Sequence, residues 1–293
     1  MTRPLLAIIG GSGLYDLPGL ADTRWETVDT PWGAPSDQIF RGRLGDAELA
    51  FLPRHGRGHR IPPSEVNYRA NIAALKSLGA TDVLSLSAVG ALRADLPPGT
   101  FVLVDQFIDR TFARAKSFFG TGMVAHVSMA QPVCARLGDH VQAALAQQGV
   151  PHVRGGTYVV MEGPQFSTLA ESQLYRSWNA SVIGMTNMPE AKLAREAELC
   201  YCSVSMVTDF DCWHVGHEAV TVDAVIQVLL GNAQVARTLV AGLAGSITAD
   251  AAGPACACRR ALAHALITAP EARDPAMVER LQVIAGRVLK AGA

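Results

Sequence analysis

Short apolar runs alternate with longer amphipathic stretches along most of this chain. Three amphipathic stretches, at 63–79, 132–149 and 221–243, predict helices, and the first two end in glycine, as helices commonly do. The apolar runs that predict strands are LLAIIG, ELAFLP, TDVLSLSAVG, TFVLVDQFI, GGTYVVMEG, ASVIGMT and CYCSVSMVT. Short strands rich in Val and Ile that are separated by helices favour a sheet covered on both faces. We therefore predict a single α/β domain with a mixed, largely parallel central sheet flanked by helices.

Composition limits the classes of partner. The chain has 293 residues, of which 49% are hydrophobic and 17% charged, with a formal net charge of −1. No basic cluster is present to bind a phosphate backbone, so we expect no nucleic-acid partner. No apolar segment approaches the length that spans a bilayer, and the N-terminus lacks the features of a signal peptide. We expect a cytoplasmic protein without a membrane partner.

The segment ITADAAGPACACRR is the one plausible boundary in the chain. It divides a main domain at 1–246 from a C-terminal helical tail at 247–293. Two Cys-x-Cys pairs lie near this region, Cys200 with Cys202 and Cys256 with Cys258. The first pair falls in an apolar run and is typical of small core residues. No Cys/His cluster of the zinc-finger type accompanies either pair, so we expect no metal site.

The first strand runs into a glycine-rich turn, AIIGGSGLYDLPG. Such turns often present backbone N–H groups to a phosphate, but the two common nucleotide motifs fail here. Gly11 and Gly13 have the spacing of a dinucleotide fingerprint, yet position 16 is Asp16, and no P-loop lysine follows. The turn therefore indicates a phosphate ligand other than those bound by the dinucleotide fingerprint and the P-loop.

Ligands of doubly wound sheets bind beyond the carboxyl ends of the strands. The predicted strands end at one guanidinium, one imidazole and three hydroxyls, which belong to Arg54, His55, Ser12, Ser87 and Thr186. Together with the N–H groups of a glycine turn, these side chains suit a small tetrahedral oxyanion. The set needs neither a Walker lysine nor Mg²⁺, and it predicts a site for free inorganic phosphate. In this site the guanidinium of Arg54 binds the anion through two hydrogen bonds.

Asp209 and Asp211 flank one aromatic residue where another strand ends. A protonated carboxyl can donate to N7 of a purine, and a carboxylate can accept from an exocyclic amine. Because two neighbouring acids push their pKa values apart, one of them is more easily protonated near neutrality. Phe166 follows another strand and is a candidate to stack on the base.

Several motifs together resemble the trimeric purine nucleoside phosphorylase family over about residues 5–240. They are IIGGSGL, PRHGRGHRIPPSEVNYRANI, LVDQFIDRT, EGPQFS, GMTNMPEAKLAREAELCY and TDFDCW. The resemblance implies an α/β nucleoside phosphorylase fold, a homotrimer, and phosphorolysis of a 5′-methylthio purine nucleoside with inorganic phosphate as co-substrate and no cofactor.

The resemblance also implies which residues form the site. The phosphate would be bound by Ser12, Arg54, His55, Ser87, Ala88 and Thr186. Asp209 and Asp211 would be the catalytic residues, Asp209 near N7 and Asp211 near the amino group. The rest of the nucleoside would be bound by Phe166, Ser167, Met185, Val222, Val225, Ile226 and His59, with His126 from a neighbouring subunit.

Base selectivity depends on Asp209, because relatives that use 6-oxopurines carry Asn there. A carboxylate suits the amino group of adenine and an amide suits an oxo group. Asn187 stands where relatives often have Thr or Ser, and it is a candidate to contact ribose or base. The alternatives are a 6-oxopurine nucleoside or methylthioinosine phosphorylase, an NAD-binding oxidoreductase, and a non-catalytic nucleoside-binding module.

Overall fold

The computed structural model describes residues 4–11, 14–214, 222–250 and 256–290, and within 222–250 the side chains of 228 and 231–247. One sheet contains all the strands of this part of the chain. They are β1 (Leu5–Gly10), β2 (Ala21–Glu26), β3 (Ile39–Leu44), β4 (Ala47–Pro53), β5 (Ala80–Ala91), β6 (Phe101–Val104), β7 (Gln106–Asp109), β8 (His152–Arg154), β9 (Thr157–Val160), β10 (Val182–Gly184) and β11 (Cys200–Asp209). The helices are α1 (Tyr68–Ser77), α2 (Ala135–Gln147), α3 (Leu169–Ser177), α4 (Asn187–Glu196), α5 (Val222–Asp250), α6 (Pro275–Arg280) and α7 (Gln282–Lys290).

The sheet is mixed. Its main path runs β2-β3-β4-β1-β5-β10-β9-β7, and β11 pairs with β5 and also with β6, which pairs with β8. The central pairs β1–β4, β1–β5 and β11–β5 are parallel, whereas β2–β3, β3–β4, β5–β10 and β6–β11 are antiparallel. This arrangement confirms the α/β prediction.

Both faces of the central strands are buried, as their continuous apolar runs require. Along β1, Leu5, Ala7 and Ile9 point into one hydrophobic cluster, and Leu6 and Ile8 point into another. The first cluster is covered by α1, α4 and α7, and the second by α2 and α5.

Every apolar run that predicted a strand contains one. The run TFVLVDQFI holds two, because β6 and β7 change partners at Asp105, whose carboxylate accepts from Gly156 N–H at 3.0 Å. Helices α1, α2 and α5 confirm the three amphipathic stretches, although α5 continues to Asp250, across the predicted boundary after residue 246. The segment 256–290 adds Leu262, Leu281 and Ile284 to the first hydrophobic cluster.

No helix in the described ranges is long and apolar enough to cross a membrane.

Candidate active site

Strands β5 and β11 lie side by side and carry the two halves of the candidate site. They are parallel, with Ser205 opposite Ser87 and Asp209 opposite Gly90. Ser87 and Gly90 are three residues apart on one strand, so the predicted phosphate hydroxyl and the predicted base-binding acids are about 10 Å apart along the sheet. Strand register therefore places both predicted groups in the carboxyl-terminal halves of the two strands, Ser87 within β5 and Asp209 at the end of β11.

Asn187 joins two of the predicted phosphate residues. Its Oδ1 accepts hydrogen bonds from the hydroxyls of Ser87 at 3.1 Å and Thr186 at 3.2 Å. Its Nδ2 donates to the hydroxyl of Tyr201 at 2.9 Å and to that of Ser203. Asn187 is 0% exposed and satisfied by protein groups. Asn187 therefore supports the two hydroxyls. The sequence had made it a candidate to contact ribose or base.

Arg54 is buried and its guanidinium is bound to protein oxygens. Nε donates to Glu190 Oε2 at 2.9 Å, Nη2 to the Ser85 hydroxyl at 2.7 Å, and Nη1 to the Leu86 carbonyl at 3.0 Å. Burial alone would lower the pKa of Arg54, but the carboxylate of Glu190 outweighs it and raises that pKa above its usual range. The guanidinium of Arg54, which the sequence predicted to bind phosphate through two hydrogen bonds, is therefore hydrogen-bonded to Glu190 instead.

Glu190 is the centre of this buried network. It also accepts from the Ser85 hydroxyl at 2.6 Å and from the Tyr201 hydroxyl at 2.9 Å. Because the proton of Tyr201 goes to Glu190, its oxygen is left to accept from Asn187. A continuous chain of hydrogen bonds thus links Arg54 through Glu190 and Tyr201 to the amide that holds Ser87 and Thr186.

His55 follows Arg54 and is half-buried. Its Nδ1 lies 2.8 Å from the Ile61 carbonyl, which can only accept, so Nδ1 carries the proton and Nε2 keeps a lone pair. Its ring stacks on His59 with centroids 4.3 Å apart. Burial, with the positive charge of Arg54, lowers the pKa of His55 to about 4. The imidazole is neutral near pH 7.

Two further residues complete the surroundings of the hydroxyls. Ala88 is half-buried on β5 directly after Ser87. Tyr158, on β9, is fully buried, and its hydroxyl approaches those of Thr186 and Ser87. A Cβ on Gly184 would overlap the Tyr158 hydroxyl, so this ring reaches the site only because Gly184 has no side chain.

Asp209 and Asp211 lie close together at the end of β11. Asp209 Oδ2 accepts from the Thr208 hydroxyl at 2.7 Å, and Oδ1 accepts from the Asp211 N–H at 2.8 Å. Asp211 has the left-handed backbone conformation, with φ of 52°, and its Oδ2 is buried without a hydrogen-bond partner among the residues that the structure describes. Burial raises the pKa of both carboxyls, and the charge of Asp209 adds to the increase at Asp211. Both acids are thereby shifted toward the protonated form.

Gly90 leaves room for this pair. A Cβ at position 90 would lie 2.9 Å from Asp209 Oδ1 and 3.2 Å from Asp211 Cβ. The turn after the acids is anchored by Trp213, whose indole N–H donates to the Ala91 carbonyl at 2.7 Å. The acids are therefore held between the end of β5 and a fixed turn.

The segment after β9, which carries Phe166, lies against Met185 at Gly163. A Cβ on Gly163 would overlap the Met185 sulfur, so the two segments are in close contact. Arg114 holds them together by donating to the carbonyls of Met185 at 2.6 Å and Glu162 at 2.7 Å. The Phe166 side chain is 51% exposed. An exposed aromatic ring is available to a planar ligand.

Ser167 connects this segment to the acids. Its carbonyl accepts from the Cys212 thiol at 3.4 Å, one residue beyond Asp211. His126 is exposed, and its N–H donates to the Ala265 carbonyl at 2.8 Å. Within the described residues, no hydrogen bond or ring contact joins His126 to the other candidates.

Four candidates fall where the structure gives no side-chain description. Ser12 lies outside the described residues. The backbone of Val222, Val225 and Ile226 belongs to α5, and their side chains are outside the described part.

Sequence reasoning missed the residues that hold the site from beneath, chiefly Glu190, Arg114 and Tyr158. Each of the three is buried. Glu and Arg side chains are usually exposed. The burial of Glu190 and Arg114 depends on partners that are distant in the chain, and the sequence does not show which residues these are. The one signal was the position of Glu190 within the motif GMTNMPEAKLAREAELCY.

Comparisons with known proteins agree with this architecture. The profile of the phosphorylase superfamily matches residues 5–244. S-methyl-5′-thioadenosine phosphorylase of Rhodospirillum rubrum is 62% identical over 287 residues, covering 98% of each chain. A methylthioadenosine phosphorylase crystal structure from an antarctic soil metagenomic library superposes with a TM-score of 0.91 at 46% identity, covering 97% of this chain and 99% of that one.

Methylthioadenosine phosphorylase from Schistosoma mansoni, in complex with adenine, superposes with a TM-score of 0.80 at 39% identity, covering 84% of this chain and 92% of that one. The chain belongs to the phosphorylase superfamily and, within it, to the S-methyl-5′-thioadenosine phosphorylase family.

Proposed function

We propose that this protein catalyses the phosphorolysis of S-methyl-5′-thioadenosine to adenine and 5-methylthioribose 1-phosphate. The observation that supports the proposal is the register of β5 and β11, in which Ser87 and the Asp209–Asp211 pair lie in or directly after the carboxyl-terminal halves of adjacent parallel strands. The separation of about 10 Å along the strand leaves space for a ribose between a phosphate and a purine.

The phosphate would bind among Arg54, His55, Ser87, Ala88 and Thr186, with Ser12 from the glycine turn. The hydroxyls of Ser87 and Thr186 now donate to Asn187 and would turn their protons toward phosphate oxygens. His55 Nε2, which has a lone pair, would accept from a protonated phosphate oxygen. Arg54 would act through its positive charge and through the network that it shares with Glu190.

The base would bind at Asp209 and Asp211. The raised pKa of both carboxyls favours a protonated acid that donates to N7 of the departing purine. The unpartnered Oδ2 of Asp211 is suited to accept from the amino group of adenine. Phe166 would stack on the base, with Ser167 beside it and Met185 under the ribose. Val222, Val225, Ile226 and His59 would line the methylthio pocket, and His126 would come from a neighbouring subunit.

The reaction would proceed by attack of phosphate on C1′ through an oxocarbenium-like state. The bound phosphate stabilises the positive charge that develops on the sugar, and the acid relieves the negative charge on the leaving purine. Rate acceleration would come from positioning and electrostatics. The proposal includes no metal or organic cofactor in this reaction, a cytoplasmic homotrimer, no nucleic-acid partner, and a phosphorylase domain at 1–246 with a tail at 247–293.

The test is base release from methylthioadenosine, methylthioinosine, adenosine and inosine, each with and without inorganic phosphate. We expect adenine release that requires phosphate and is fastest from methylthioadenosine. Preferential release of hypoxanthine would support the 6-oxopurine alternative and overturn the roles given to the two acids. Cleavage that does not require phosphate would overturn the phosphate site.

A further inference from the structure

Four cysteine sulfurs meet at a point where three distant segments converge. Cys134 is the N-cap residue of α2, Cys200 is the first residue of β11, and Cys256 and Cys258 begin the C-terminal segment. All four sulfur atoms lie within 4.8 Å of one another, and those of Cys134 and Cys256 are 3.5 Å apart. The expectation that no cluster accompanies the Cys-x-Cys pairs is wrong for these residues, because the fold adds Cys134 and brings Cys200 together with Cys256 and Cys258.

This cluster is separate from the candidate active site. Cys200 starts β11 and Asp209 ends it. Nine residues of extended strand correspond to about 30 Å. The cluster therefore lies at the opposite edge of the sheet from the edge that carries the acids.

The distances suit one central ion. A tetrahedral Zn²⁺ with Zn–S bonds of about 2.3 Å places its sulfur ligands about 3.8 Å from one another. A disulfide would bring two sulfurs to about 2.05 Å and would not require the other two to converge on the same point. Here each sulfur is near all three others, which is the arrangement that a single ion demands.

Burial and charge also favour a cation. Cys134, Cys200 and Cys258 are buried and Cys256 is half-buried. Four thiolates in a protein interior require a compensating cation. Arg195 adds positive charge beside them, because its Nη1 donates to the Cys258 sulfur at 3.5 Å. Such a hydrogen bond to a ligand sulfur is typical of the groups that surround thiolate-bound metals.

We propose that Cys134, Cys200, Cys256 and Cys258 bind one structural Zn²⁺. The ion replaces the thiol protons, which are released to solvent on binding. Four thiolates in a tetrahedral array select zinc among the common divalent ions and leave no position open for a substrate, so the site is structural. Its role is to fasten the start of the C-terminal segment to α2 and β11.

The test is metal analysis of the full-length chain, purified under reducing conditions without chelators and dialysed against zinc-free buffer. We expect inductively coupled plasma mass spectrometry to find one zinc ion per chain. The double variant Cys256→Ser/Cys258→Ser should lose the metal. Cys202→Ser is the matched control, since Cys202 is a buried cysteine of the same strand outside the cluster, and it should retain the zinc.

A second measurement uses the unmodified chain and does not depend on whether the double variant folds. Replacing zinc with Co²⁺ should give the thiolate-to-cobalt charge-transfer and ligand-field absorption of a tetrahedral four-sulfur site. A zinc-free protein with disulfides between these cysteines would overturn the proposal. Four freely alkylated thiols after incubation with zinc would overturn it as well, and iron in place of zinc would overturn the choice of metal.

Discussion

Arg54 and Glu190, 136 residues apart in the sequence, form a fully buried ion pair in which Nε and Oε2 are 2.9 Å apart. Arg54 is 2% exposed and Glu190 1% exposed. Removing one partner of such a pair leaves an uncompensated buried charge, which typically costs about 3–5 kcal/mol. The pair is therefore a structural requirement of the candidate phosphate site.

Glu190→Gln should lower the free energy of unfolding by about 3 kcal/mol, because Arg54 keeps its charge and loses its counterion. The measurement is urea-induced unfolding followed by circular dichroism. Glu48→Gln is the control, since Glu48 pairs with Arg41 at 2.8 Å with 41% of its side chain exposed. Exposed pairs contribute about 0–1 kcal/mol. Equal losses in the two variants would contradict the importance of burial at Glu190.

His55 should respond to phosphate through its pKa. Burial and Arg54 lower that pKa to about 4. A phosphate anion beside Nε2 favours the imidazolium, so saturating phosphate should raise the pKa by about one unit or more. The measurement is an NMR titration of the ring protons, assigned with a His55→Gln variant. His152, which lies outside the candidate set, is the internal reference. A His55 titration curve that phosphate leaves unchanged would remove this residue from the site.

Asp209→Asn should shift the base preference of the protein from adenine toward 6-oxopurines. An amide at this position cannot protonate N7, so kcat/KM for methylthioadenosine should fall by about 10²-fold, the lower range for loss of a general acid. The same amide can pair with a 6-oxopurine, so the ratio of inosine to adenosine cleavage should rise. The measurement is steady-state kinetics with methylthioadenosine, inosine and adenosine. An unchanged ratio would show that Asp209 does not contact the base.

Gly90→Ala should displace the acids while leaving the fold intact. The added Cβ would lie 2.9 Å from Asp209 Oδ1 and 3.3 Å from the backbone nitrogen of Asp211, so the acids must shift to accommodate it. A misplacement of about 1 Å costs about 10²-fold in rate. Gly120→Ala is the control, because a Cβ there meets no atom of the described residues within 4 Å. Wild-type activity in the Gly90 variant would show that the position of the acids is not critical.

The sequence was most informative where strands are buried on both faces. Strands β1 and β11 are continuous apolar runs, so their pattern predicts both their existence and their central place in the sheet. Strand β2 has the sequence ADTRWE and is mostly exposed, and an edge strand of this composition gives no such signal. Helix α4 begins with Asn187, and its buried face includes Glu190, whose partners lie directly after β4 and on β5 and β11.

The same distinction applies to the candidate site. Ser87 and Asp209 were found because ligands lie at the carboxyl ends of strands, a rule that needs only the positions of the strands. Arg54 is hydrogen-bonded to Glu190, and Asn187 to Ser87 and Thr186. These hydrogen bonds join side chains that meet only in the folded protein. Pattern and spacing do not contain this information.

Glu196, at the end of α4, should destabilise the protein as pH rises. It is buried and accepts from the Ser117 hydroxyl and the Phe118 N–H, each at 2.7 Å. Burial raises its pKa from 4.5 to about 7 in spite of these bonds. Between these two values the folded state binds more protons than the unfolded state, so the free energy of unfolding falls as pH increases and levels off above about pH 7.

Glu196→Gln removes this dependence, because the amide has no proton to lose and retains an oxygen that accepts from Phe118. The variant should be more stable than the wild type by roughly 2 kcal/mol at about pH 8, and the difference should vanish near pH 4.5. The measurement is urea unfolding at both ends of this range. Glu279→Gln, at an exposed position of α6, is the control for the loss of a carboxyl group from the surface. A Glu196→Gln advantage that is the same at low and high pH would show that ionisation of the carboxyl is not its cause.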